Sequence, residues 1–183
     1  MRLTAILTAR NEAAYIGRCC DHLSQHGVQF VLIDNESTDD TRSIAEHYRG
    51  RGLVDTVLHP YPGYFDLVGL MRHTEHVARN LDSDWFLHLD ADEIPEPPER
   101  GQSLLEWVDR VDASGYNAFN FDEFVFLPEA HETWLDGLPQ HAANRVPFAP
   151  DRRCLRTRVT YAPTEETHRA RPERHRHRTA LEH

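Results

Sequence analysis

Apolar runs recur through the first hundred residues, separated by longer stretches in which apolar positions fall every three or four residues. Residues 2–8 (RLTAILT) predict a first strand. A helix is expected to open at Asn11 and run to about Gln25, with Ala14, Ile16, Cys20 and Leu23 broadly on one face and Gly27 as its stop. Residues 29–34 (QFVLID) predict a second, buried strand. The loop Asn35-Glu36-Ser37 then leads into a second helix over roughly 38–49, with Ser37 as its expected N-cap. Asp39 and Asp40 suit the positive end of that helix's dipole. Residues 53–58 predict a third strand, 65–80 a third helix and 85–89 a fourth strand. Four alternations of strand and helix are the pattern of a parallel sheet with right-handed crossovers.

After residue 100 the rhythm changes. A helix at 103–111 precedes residues 116–127 (YNAFNFDEFVFL), whose alternation predicts one bent strand or two. Residues 128–163 read as long loops with a strand near 154–161. Residues 164–183, rich in Arg and His, read as a disordered tail whose last residues, Leu181-Glu182-His183, look like a tag.

Composition narrows the function classes. The 183 residues, 39% of them apolar, fit one domain with a real core. No run of 18 apolar residues is present to span a membrane, and the N-terminus lacks a signal-peptide core. Cys19 and Cys20 are adjacent in a helix and Cys154 is distant, a pattern of reduced thiols in a cytoplasmic protein. Residues 1–144 carry 25 acids and 10 arginines, whereas residues 145–183 carry 5 acids and 10 arginines. An acidic main body argues against nucleic-acid binding. The basic end reads as a solvated tail.

The chemistry gathers around residues 84–97, DWFLHLDADEIPEP. Trp85, Phe86, Leu87 and Leu89 predict a buried strand, and Pro95, Pro97 and Pro98 stop regular structure beyond it. Asp90, Asp92 and Glu93 therefore fall on a loop at the carboxyl end of a strand. Glu12 follows the first strand and Asp34 ends the second, so a parallel sheet brings all these acids to one edge. Neither G-x-G-x-x-G nor G-x-x-x-x-G-K-[ST] occurs, so an ordinary dinucleotide Rossmann domain or P-loop is not expected. Each carboxylate–phosphate repulsion at about 5 Å costs roughly 0.8 kcal/mol even in water, and several times that in a cleft. A diphosphate could sit beside such acids only with a divalent cation, which would also stabilise it as a leaving group.

Three ordered segments resemble the family 2 glycosyltransferases. They are Thr8-Ala9-Arg10-Asn11-Glu12 after strand one, Asp34-Asn35-Glu36-Ser37-Thr38-Asp39 after strand two, and Leu89-Asp90-Ala91-Asp92-Glu93 after strand four. Glu36 stands where that family's second motif often has glycine. The resemblance implies an α/β GT-A fold, a mostly parallel central sheet with helices on both faces. Residues 1–163 would be one such domain, with 1–100 as its nucleotide-binding half and 101–163 as an acceptor-side half that is short for the family. It implies that Thr8, Ala9, Arg10, Asn11 and Glu12 border the base and ribose and that Asp34 receives them by hydrogen bonding. Asp90 and Ala91 would lie near the ribose, and Asp90 and Asp92 would hold Mn²⁺ or Mg²⁺, with Asp92 the main ligand on the diphosphate. Arg72 matches an arginine often used near the nucleotide.

The implied function is metal-dependent transfer of a sugar from a nucleotide diphosphate donor to the hydroxyl of a glycan, lipid or protein acceptor. A peripheral membrane contact is compatible with a lipid acceptor. Inverting members need a carboxylate base; Asp122 and Glu123 are the nearest candidates, followed by Glu129 and Asp136. The alternative is a truncated or degenerate member that binds a nucleotide sugar or a partner without turnover. A sugar-nucleotide pyrophosphorylase would need a glycine-rich loop that Thr8–Ala13 lacks. An Asp-x-Asp phosphatase would carry its acids after the first strand. His22 and His26 read as a solvated helix face, as do His73 and His76. Tyr61, Tyr64 and Trp134 read as packing aromatics. The sequon Asn35-Glu36-Ser37 has no secretory signal beside it.

Overall fold

The computed structural model describes residues 1–121, 124–126, 145–147 and 159–161. Along the chain run β1 (Leu3–Ala9), α1 (Ile16–Gln25), β2 (Gln29–Asp34), α2 (Thr41–Glu46), β3 (Leu53–Leu58) and α3 (Leu67–Arg79). There follow β4 (Trp85–Asp90), α4 (Leu104–Ala113), β5 (Ala118–Asn120), β6 (Phe124–Phe126), β7 (Arg145–Pro147) and β8 (Val159–Tyr161). Strand β8 groups with the body formed by residues 1–119, while β6 and β7 pair antiparallel within a second compact unit.

The main sheet has the order β3-β2-β1-β4-β8-β5. β1 pairs in parallel with both β2 and β4, and β2 pairs in parallel with β3. β8 joins β4 antiparallel. The chain thus winds outward from β1 to β3, then crosses back to lay β4 on the other side of β1. Such a reversal beside β1 is where open α/β sheets leave a crevice at the carboxyl ends of their strands.

Alternation along the strands divides the core between two faces. Ile6, Val31, Ile33 and Phe86 pack with Leu70 and Val77 of α3. On the opposite face Leu3, Ala5, Leu7, Phe30, Leu32, Trp85 and Leu87 are buried. There α1 supplies Ile16, Cys19, Cys20 and Leu23, and α4 supplies Leu104, Trp107, Val108 and Val111. The Trp85 indole N–H donates to Asp112 Oδ1 at 2.9 Å, fastening β4 to α4. Each large apolar side chain buried in this way contributes on the order of 2 kcal/mol, so the loops at the sheet edge rest on a firm base. The expected parallel sheet with helices on both faces is present.

Two helices begin later than the spacing predicts. Asn11 has a φ of 56°, a left-handed conformation that asparagine tolerates and a helix does not. The Tyr15 and Ile16 amides close a turn on the Glu12 carbonyl, and α1 starts only at Ile16. α2 is likewise shorter than 38–49, and Ser37 is not its cap: the Ser37 hydroxyl accepts the Asn11 N–H at 3.0 Å. Hydrogen bonds between the two loops take up the groups that helix starts would use. Gly27 (φ 71°) ends α1 as expected, with the Val28 N–H returning to the Leu23 carbonyl.

Candidate functional site

Strand register brings the predicted residues to one edge. Ala9 of β1 lies opposite Asp34 of β2, and Thr8 lies opposite Asp90 of β4. At strand spacings of about 4.8 Å, Asp34 and Asp90 flank the end of β1. The Thr8 hydroxyl donates to Asp90 Oδ1 at 3.1 Å. Asp34 is buried, and its Oδ1 accepts the Ser37 N–H at 3.2 Å.

The loops after β1 and β2 are stitched together. Asn11 Oδ1 accepts the Thr38 N–H at 2.8 Å and its hydroxyl at 3.2 Å. Asp39 accepts the Ala13 N–H at 3.1 Å and the Thr41 N–H at 3.0 Å, while the Glu12 N–H donates to the Thr41 hydroxyl at 2.7 Å. What burial Asp39 has acts upward on its carboxyl; hydrogen bonds from Thr41 and Ala13 outweigh it and hold the carboxyl below its ordinary value. Arg10 donates to the Asn35 carbonyl at 2.5 Å and the Glu36 carbonyl at 2.7 Å, with its guanidinium 3.6 Å from the centre of the Tyr61 ring. Glu36 adopts a φ of 50°, which accounts for glycine at this position in the motif it resembles. Its Oε2 accepts the Tyr61 N–H at 2.8 Å. The Asn35 side-chain amide donates to the His59 carbonyl at 3.0 Å, so the sequon's nitrogen serves the fold.

On the other side of β1, Asp90 ends β4, Ala91 is buried and Asp92 is exposed. Glu93 folds back so that its Oε2 accepts the Asp90 N–H at 2.8 Å, and its own N–H donates to the Asp90 carbonyl at 3.1 Å. The electrostatic meeting point is Glu12. Burial first, then the carboxylates of Asp92, Asp39 and Asp90, push its carboxyl above the ordinary value. Acids from three different loops therefore share one field.

This donor set fits a divalent cation. Among the described residues no three metal-binding side chains form a closed cage. Mg²⁺ bound with a nucleotide is commonly held by one or two carboxylates plus phosphate oxygens and water. Asp90 and Asp92 would supply such a pair, and the like-charge crowding at Glu12 is what a cation would relieve.

The structure gathers Thr8, Ala9, Arg10, Asn11, Glu12, Asp34, Asp90, Ala91 and Asp92 at this edge. Arg72 is exposed on α3, and no hydrogen bond or ion pair among the described residues ties it there. Asp122 and Glu123, the expected base candidates, lie outside the described residues, as do Glu129, Asp136 and Trp134. Four features go beyond the local sequence pattern. Asp39 bridges loops instead of merely facing a helix dipole, and Glu93 braces Asp90. His22 on α1 and His26 at its C-cap are half-buried rather than solvated: His22 Nε2 lies 2.7 Å from the Pro95 carbonyl, and the Leu104 N–H donates to His26 Nδ1 at 3.0 Å. His73 is likewise half-buried, its Nδ1 3.0 Å from that of His59.

A family model described as Glycosyl transferase family 2 matches residues 4–161. The chain is 31% identical over 157 residues to an uncharacterized glycosyltransferase of Rickettsia felis, a match covering 85% of this chain and 47% of the relative. It is 27% identical over 115 residues to the lipopolysaccharide core biosynthesis glycosyltransferase LpsC of Rhizobium meliloti, covering 57% of this chain and 40% of that one. The chain thus spans less than half the length of these curated relatives. Among solved structures, S. aureus TarS 1–349 in complex with UDP is similar with a TM-score of 0.51 at 19% identity, over 65% of this chain and 34% of that one. That likeness is one of fold.

Proposed function

The chain belongs to glycosyl transferase family 2, and on that premise we propose that its sheet edge binds a nucleoside diphosphate sugar with Mn²⁺ or Mg²⁺ for transfer of the sugar to an acceptor hydroxyl. The observation that carries this reading is the strand register that sets Asp34 and Asp90 on either side of the end of β1, with Glu12 close enough to Asp92, Asp39 and Asp90 to feel their charges. Without a cation, that edge would repel a diphosphate.

Each residue's part follows from its place. Asp90 and Asp92 would hold the ion, which when bound supplies positive charge to the diphosphate and to its departure. Thr8 orients Asp90 through its hydroxyl, and Glu93 fixes the backbone of the same residue. Asp34, anchored through Oδ1 to Ser37, would offer its other oxygen to the base or ribose. Arg10 is engaged by two carbonyls and the Tyr61 ring, so it would shape the wall of the nucleotide pocket and not reach a phosphate. Asp122 and Glu123 remain the proposed base, acting on the acceptor hydroxyl. The UDP complex of TarS favours trying uridine nucleotides first.

The acceptor would be a glycan, lipid or protein. No helix among the described residues is long and apolar enough to cross a membrane. The exposed Tyr64, Phe65, Leu67, Val68 and Met71 offer the apolar surface that a peripheral lipid contact would use. The buried free thiols of Cys19 and Cys20 support a cytoplasmic setting.

Calorimetric titration of uridine and guanosine diphosphates, with Mn²⁺ and with chelator, on the native chain and on Asp92→Ala tests the reading. Binding that Mn²⁺ strengthens, and that loses about a hundredfold in Asp92→Ala, is expected. No binding of either nucleotide would sink it. Since the chain spans less than half of its relatives' length, binding without hydrolysis or transfer would favour the second reading, a nucleotide-sugar-binding member without turnover.

A further inference from the structure

The acidic loop runs directly into a stretch that cannot organise itself. Pro95, Pro97 and Pro98 have no N–H to give, and no regular structure lies between Asp90 and Leu104. Its groups are served instead by one face of α1. Cys19 and His22, at positions i and i+3, stand on one face of that helix, and His26, its C-cap residue, continues the row. The Cys19 thiol donates to the Glu93 carbonyl at 3.7 Å. His22 Nε2 lies 2.7 Å from the Pro95 carbonyl, and because a carbonyl only accepts, Nε2 carries the proton. His26 Nδ1 accepts the Leu104 N–H at 3.0 Å, and the His22 and His26 rings lie tilted at 33° with centroids 4.2 Å apart. Pro95 is buried under this row, whereas Asp92 is exposed.

The loop is therefore suspended at two ends. The Asp90–Glu93 turn fixes the end nearest the sheet. Cys19 and His22 fix the stretch that follows Asp92, at Glu93 and Pro95, while His26 packs against His22 and holds the start of α4 at Leu104. We propose that Cys19, His22 and His26 are positioning residues that set where Asp92 stands over the sheet edge, and hence its hold on the cation that accompanies a nucleoside diphosphate. The inference rests on the metal-dependent donor site described above. His22 acts through the backbone of Pro95 and touches neither cation nor nucleotide.

Two polar variants of the full chain separate positioning from general support. In His22→Gln the side-chain amide can still reach the Pro95 carbonyl from the Nε2 position; in His22→Asn it is too short. UDP is titrated with Mn²⁺ and with chelator. His22→Asn is expected to reduce the affinity gained from Mn²⁺ by on the order of tenfold while chelator binding stays within about twofold, and His22→Gln to recover most of the loss. An unchanged Mn²⁺ gain in His22→Asn overturns the proposal. So does an equal loss with and without Mn²⁺, or the same loss in both variants. Native protein that binds UDP no better with Mn²⁺ removes the donor-site reading itself, a result distinguishable from all of these.

Discussion

Residues 10–13 and 35–41 hold each other with their own polar groups: Asn11 to Thr38, Ser37 to Asn11, Asp39 to Ala13, and Thr41 to Glu12. Residues 90–98 meet the same sheet edge, yet beyond the Asp90–Glu93 turn they take their partners from α1. The difference follows from composition. The first pair of loops is rich in Asn, Asp, Ser and Thr, whose short side chains bond nearby backbone, whereas prolines strip donors from the second. The nucleotide wall is thus self-fastened, and the metal corner depends on a neighbouring helix. Damage should consequently travel differently through the two.

The largest expected effect breaks the self-fastened side. Asn11→Ala removes the acceptor for both Thr38 donors and leaves alanine at a φ of 56°. Chemical denaturation should show a loss of about 1.5 kcal/mol. Asn11→Gly, free of the backbone strain but still without the acceptor, should fall between alanine and the native residue. A cost for Asn11→Ala no larger than that of an ordinary surface change, about 0.5 kcal/mol, would show that the stitching carries little.

What the sequence made legible was the part governed by local pattern. QFVLID and WFLHL read as strands because parallel strands, buried on both faces, appear as near-continuous apolar runs. Placing Asp34 and Asp90 at their carboxyl ends then required only the topology. Ser37 misled because an N-cap and a loop-to-loop acceptor use the same hydroxyl, and its partner lies 26 residues away in sequence. His22 and His26 looked solvated because their partners, Pro95 and Leu104, are 73 and 78 residues distant. A hint was present in the proline run, whose carbonyls need donors from elsewhere. The base candidates Asp122 and Glu123 lie outside the described residues.

Mild acid should separate the self-fastened loops more gently from the chain that leaves residues 90–98 and is held again by His26 at Leu104. Burial, then His22, lowers the pKa of His26 below its ordinary 6.5, with Glu96 pulling the other way. The unfolded chain therefore binds this proton first, and the stability that neutral His26 contributes is present above that value and lost as pH falls through it. Protonating Nδ1 would also end its acceptance of the Leu104 N–H. Asp39, with its carboxyl held below the ordinary 3.8, stays charged throughout the same window. Between about pH 7.5 and 5.5, exchange protection at Leu104 should fall by less than about 1 kcal/mol while protection at Thr41 holds. Parallel loss at both amides would mean that the loops share one fastening.

The smallest effect is the one that changes sign. Glu12 belongs to the self-fastened side through its N–H to Thr41. Its carboxyl nonetheless feels Asp92 and Asp90 from the other side, and burial and those charges raise its pKa. A carboxyl with a raised folded pKa binds its proton more readily in the folded chain than in the unfolded one. Its ionised form thus opposes folding at neutral pH, and the penalty fades as pH falls. Glu12→Gln removes the charge and keeps the backbone bond, so the metal-free chain should gain about 0.5 kcal/mol or less after solvent screening. A cation at Asp90 and Asp92 turns the same negative charge from a liability into an attraction. Glu12→Gln should then weaken the Mn²⁺-dependent gain in UDP affinity by about two- to threefold. Thermal melts in chelator, paired with UDP titration in Mn²⁺, read the two effects separately. A variant that melts lower in chelator would place Glu12 outside the shared field, leaving the two loops neighbours in space without electrostatic contact.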